Sequence, residues 1–143
     1  MRKLTLTLIA CLLSFNVFSA TDIAEKPVQH LIVENMHSFS ESKKIFIEMT
    51  SDLKAKEVLD KDELHEIHMI TYSLEKSLAF YAENLNGDAQ KLAEDIAVVV
   101  EEIHLASENN RQESTREFLS NYFELSQDFI ASIESSDLNK RYR

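Results

Sequence analysis

One cysteine, one glycine, one proline and no tryptophan occur in 143 residues, and each scarcity removes a class of protein. The only thiol, Cys11, lies in an apolar run near the start. A chain processed beyond that run has no cysteine, which excludes thiol catalysis, thiolate metal sites, disulfides and covalent CxxCH haem attachment. A lone glycine leaves no Gly-rich phosphate loop and no nucleophile elbow. The nearest approach to a zinc-protease HExxH is HEIHM, where His65 and His68 stand three apart rather than four. So little glycine and proline also leaves few places for turns. The composition is that of long helices with short connections, and the sequence predicts no enzyme.

Positive charge is scarce too, with 15 Lys and Arg against 25 Asp and Glu. Two of those cations, Arg2 and Lys3, open the segment MRKLTLTLIACLLSFNVFSA. Its basic start, apolar run from Leu4 to Phe18 and small Ser19 and Ala20 make a secretory signal peptide over 1–20, cut after Ser19 or Ala20. The run is near 15 residues, short of the roughly 20 that span a bilayer. A periplasmic or secreted product follows. Its net charge is −12, since losing Arg2 and Lys3 leaves 13 basic residues against 25 acidic ones. Such a chain repels nucleic acid and anionic lipid, so no nucleic acid and no membrane is expected after cleavage. Cations, basic proteins or neutral ligands remain as partners.

Apolar spacing predicts helices over about 27–57, 61–85, 89–108 and 112–134. Pro27 suits the first turn of the first, and Val28, Leu31, Ile32, Met36, Phe39, Phe46, Met49 and Leu53 follow at helical intervals. Asp60 and Glu63 begin the second helix like a capping box, with Leu64, Ile67, Thr71, Leu74, Leu78, Tyr81 and Leu85 as its seam. Asn86-Gly87-Asp88 is the clearest turn, with Gly87 at positive φ and Asp88 as the next cap. Leu92, Ile96, Val99, Val100 and Ile103 line the third helix. Phe118, Leu119, Tyr122, Phe123, Leu125, Phe129, Ile130 and Ile133 line the fourth. Short joints make sequential helices antiparallel. The expectation is an all-α, up-down-up-down four-helix bundle over 21–134 with a disordered tail over 135–143.

Two segments repeat a frame: EIHMITYSLE from Glu66 and EIHLASE from Glu102. His68 lies 18 residues before Asn86 and His104 lies 17 after Gly87. At the helical rise they stand about 27 and 26 Å from the same turn, hence at one height on an antiparallel pair. The same arithmetic brings Met49 to that layer. Glu101 stands one turn before His104, and this Glu-x-x-His pattern also occurs in di-iron bundles. His30 and His37 fall toward the other end of the first helix.

The segments around Glu66, His68, Thr71, Tyr72, Leu74 and Glu75, and around Glu102, His104, Ser107 and Glu108, resemble the signatures of a family of small secreted Gram-negative bacterial proteins of unknown function. The resemblance covers most of the chain beyond the signal peptide and implies a secreted helical bundle, with no activity attached. The architecture is also similar to the soluble b-type cytochromes, a likeness of fold alone.

Two readings of the histidine layer result. In one, His68 and His104 hold a cofactor: non-covalent haem between the imidazoles, with Met49 nearby, or a divalent transition metal with Glu101 as the carboxylate. In the other, the imidazoles are satisfied by neighbouring hydroxyls and carboxylates, Thr71, Tyr72 and Glu75 beside His68 and Glu101, Ser107 and Glu108 beside His104. The protein is then an acidic interaction bundle for a basic partner.

Overall fold

The computed structural model describes residues 32–141, with the backbone alone over 135–141. The signal segment, Pro27 and His30 lie outside the described residues. Four helices follow in order: α1 (Phe39–Lys54), α2 (Lys61–Asn84), α3 (Gly87–Glu108) and α4 (Gln112–Arg141). Each packs on the next, α1 against α2, α2 against α3 and α3 against α4, while α1 and α4 close the bundle more loosely. This is the expected all-α four-helix bundle.

The first helix begins later than its apolar spacing predicts. Residues 32–38 are not helical, and Ser38 caps α1 by accepting from the Glu41 N–H at 3.2 Å. Glu41 reaches back to accept from the His37 N–H at 2.8 Å, so the cap is reciprocal. A local cap thus outcompetes the upstream spacing. Ile32 is 94% exposed and contributes nothing to the core. Lys76 of α2 donates to the Asn35 side chain at 3.1 Å, tying the non-helical segment to the bundle.

Asp60 starts α2 as expected, accepting from the Asp62 and Glu63 amides at 3.0 Å each. Leu59 before it and Leu64 within the first turn are both buried, the positions of a hydrophobic staple. Gly87 has φ +61°, the left-handed conformation expected of it. It is the first residue of α3, however, so Asn86 is the cap and Asp88 lies inside the first turn, where its charge suits the helix dipole.

The joint between α3 and α4 turns on Asn110, at φ 53°. The Arg111 N–H donates to the Ala106 carbonyl at 2.9 Å and the Asn110 N–H to Ser107 at 3.0 Å, the two bonds of a Schellman ending with asparagine in the usual glycine place. At its far end α4 runs on to Arg141 rather than stopping near 134. Ser135 to Arg141 contains neither glycine nor proline, so nothing in it breaks the helix.

Phe46, Tyr81, Tyr122 and Phe129 fill the centre, with Phe46 and Phe129 edge-on at 5.3 Å between α1 and α4. The Thr50 hydroxyl donates to the Phe46 carbonyl at 2.6 Å, so Tyr122 must donate to Thr50 across the 2.6 Å that separates their oxygens. Burial raises the Tyr122 phenol and keeps it a donor. Between α1 and α2, Ser77 donates to the Ser42 carbonyl at 2.9 Å, and these small residues let the backbones approach.

Candidate functional site: a buried histidine layer

The hairpin of α2 and α3 brings His68 and His104 together with ring centroids 4.4 Å apart and planes inclined by 57°. Both are buried, at 2% and 9% exposure. Tyr72 stands edge-on to both rings, 5.1 Å from His68 and 5.0 Å from His104. It sits one turn beyond His68, where the two helices face each other.

The hydrogen bonds fix one tautomer. Thr71 donates its hydroxyl to the His68 carbonyl at 2.7 Å, so toward His104 Nδ1, 2.9 Å away, it acts as acceptor. His104 therefore carries its proton on Nδ1, which also lies 3.1 Å from a Glu75 carboxylate oxygen. The Tyr72 hydroxyl lies 3.3 Å from His68 Nε2. Ser107 turns away and donates to the Ile103 and His104 carbonyls at 2.7 and 3.0 Å. The partners are thus crossed relative to expectation: Thr71 and Glu75 serve the imidazole of the opposite helix.

Burial pushes His68 down, reinforced by the neighbouring His104, while Glu108 and the His104 backbone carbonyl oppose the shift. Burial pushes Glu75 up, chiefly against the attraction of His104 and with the help of Glu101's negative charge. Burial likewise raises the Tyr72 phenol, with Glu108 and Glu75 adding to it. At neutral pH the layer therefore holds a neutral His68 and a neutral Tyr72 phenol.

The remaining predicted site residues are elsewhere. Glu101 is exposed, and the carboxylate at His104 is Glu75. Glu75 lies seven residues after His68, two turns along the same stripe, and that spacing was the available signal. Met49 packs against the hydrophobic core from α1. His37 is exposed before α1. The imidazoles are in contact, so a porphyrin between them requires the layer to open. Among the described residues no three His, Cys, Asp or Glu side chains are gathered as a metal-holding group. Two polar atoms of the layer, His68 Nδ1 and Glu75 Oε1, are buried without a hydrogen-bond partner. His68 also forms part of the wall of a cleft of roughly 240 Å³, shared with Lys61, Asp62, His65 and Glu108.

A family model described as "Family of unknown function (DUF6746)" matches residues 1–131, a span that contains both histidine segments and everything that surrounds them. The chain belongs to this family. Comparison with curated proteins and with solved structures finds no match. For this DUF6746 chain the family therefore carries no reaction, and function has to be argued from the site. Among its described residues no helix is long and apolar enough to cross a membrane.

Proposed function

We propose that this chain is an exported, non-enzymatic acidic bundle that acts by binding a partner protein, with the His68–His104 layer as part of its frame. The observation that carries the reading is the internal closure of the pair. His104 donates its Nδ1 proton to Thr71, with a Glu75 carboxylate oxygen 3.1 Å away, and His68 Nε2 meets Tyr72, so each imidazole is engaged by the protein's own side chains while His68 Nδ1 stays buried without a hydrogen-bond partner. Hydrogen bonds that cross between helices in this way specify packing, and the acidic exterior is left to do the recognising.

Thermal melts test it. His68→Ala and His104→Ala should each melt several degrees lower with no ligand added, and zinc, copper, nickel and haemin should leave the wild-type transition in place. A wild-type transition raised by any of the four would sink the structural reading. Export is tested by N-terminal sequencing of protein from the periplasmic fraction, with Thr21 or Ala20 expected as the first residue. An intact Met1 there would refute cleavage.

A second reading is favoured by the unpartnered His68 Nδ1. A divalent transition metal could engage His68 from the cleft side, where His65 and Glu108 are neighbours. It predicts a metal-dependent rise in melting temperature near pH 7 that fades toward pH 5 as imidazoles protonate, and that His65→Ala removes. Loss with His104→Ala but not His65→Ala would move the ion to the imidazole pair instead.

A further inference from the structure

The outward face of α3 holds two exposed apolar side chains, Val98 at 65% and Leu105 at 38%. Among the described residues the other exposed large hydrophobics are Ile32, Phe39, Ile47 and Val58, all on or beside α1. Among the described residues of α2, α3 and α4, Val98 and Leu105 are the exposed large hydrophobics. They are seven residues apart, two turns along one stripe and about 10 Å from each other.

Four exposed carboxylates frame them: Glu94, Asp95, Glu101 and Glu102. The single lysine or arginine of α3, Lys91, lies seven residues before Val98. Beyond Leu105, Arg111 donates to the Leu105 carbonyl at 3.3 Å and marks the far border. Between these two cations every exposed charged side chain is a carboxylate. A second copy of the chain would set carboxylates against carboxylates. Nucleic acid and anionic lipid are repelled for the same reason. An apolar stripe inside an acidic frame is complementary to a helix with the inverse pattern.

We infer that this face of α3 docks a basic amphipathic helix of a partner protein, whose apolar stripe covers Val98 and Leu105 while its lysines and arginines meet Glu94, Asp95, Glu101 and Glu102. The inference rests on the binding role proposed above and names its surface and the chemistry of its partner. It also gives Glu101 a role as a rim charge rather than a ligand. Rim charges govern the rate and salt dependence of association, and the apolar centre its lifetime.

The probe is a synthetic Leu/Lys amphipathic helical peptide, titrated calorimetrically into the full exported chain. The wild type should bind it saturably, and raising salt from about 50 to about 500 mM should weaken binding. Val98→Ser with Leu105→Ser should weaken it about tenfold or more at constant charge. Glu101→Lys with Glu102→Lys should do the same, whereas Ile47→Ser, exposed on α1, should bind like the wild type. Circular dichroism confirms that each variant is folded, as expected of exposed positions. The assignment is overturned if the wild type fails to bind, or if the Val98/Leu105 variant binds as tightly as the wild type while charge reversal alone weakens it. That outcome would leave the His68 and His104 melts untouched, because those are read without any partner.

Discussion

Thr71 of α2 accepts the Nδ1 proton of His104 on α3 at 2.9 Å while passing its own hydroxyl proton to the His68 carbonyl at 2.7 Å. One hydroxyl thus joins the two histidine segments. Thr71→Val keeps the shape and removes the acceptor, and should cost about 1–3 kcal/mol in urea unfolding, whereas Thr71→Ser should retain most of the stability. A double-mutant cycle with His104→Ala should show strong coupling. Additive losses would mean that the two groups do not depend on each other.

The pH dependence separates His68 from Glu75 by sign. His68 has a folded value below its ordinary 6.5, so the unfolded chain takes up its proton first as pH falls. Its contribution is complete above about 6.5 and is lost as pH drops toward the lowered folded value. Glu75 is raised above its ordinary 4.5, so its contribution is complete below that value and is lost as pH rises through the folded one. The stability difference between wild type and His68→Gln should therefore shrink on acidification below about 6.5. That between wild type and Glu75→Gln should grow in the wild type's favour as pH approaches about 4.5. Melts at closely spaced pH values check both, and parallel curves would show that neither group titrates with folding.

Thr50 and Tyr122 should respond unequally to loss of the same contact. Tyr122→Phe leaves Thr50 still donating to Phe46, and should cost about 0.5–1.5 kcal/mol. Thr50→Val strands the phenol of a residue with 0% exposure, and should cost about 1–3 kcal/mol. Chemical denaturation of the two variants gives the order, and a larger loss for Tyr122→Phe would contradict the assigned direction of the bond.

Asn110 sits at φ 53°, where a β-carbon is strained and asparagine is better tolerated than most residues. Asn110→Ala should cost about 1 kcal/mol, and Asn110→Gly should be neutral or stabilising. Thermal melts distinguish the two. Equal losses would mean that the side chain rather than the backbone angle matters there.

Composition and local signals were enough for the helices and their order. Asp60 with Glu63 starts α2 and Gly87 turns the chain because capping and left-handed conformations depend on neighbours a few residues away. Short joints then forced antiparallel neighbours, and the rise per residue placed His68 and His104 at one height. The late start of α1 at Phe39 was legible in Ser38 and Glu41, but apolar spacing upstream masked it. What a helix faces is a different matter. Glu101 and Glu75 are both at helical spacing from a histidine, and only the rotation of α2 against α3 turns Glu75 inward and leaves Glu101 in solvent. The same rotation brings the imidazoles into contact with each other and sends Thr71 to the histidine of the opposite helix. Spacing along a helix fixes which residues share a stripe, whereas which stripe meets which is set by packing of the whole core, and that information belongs to no single segment.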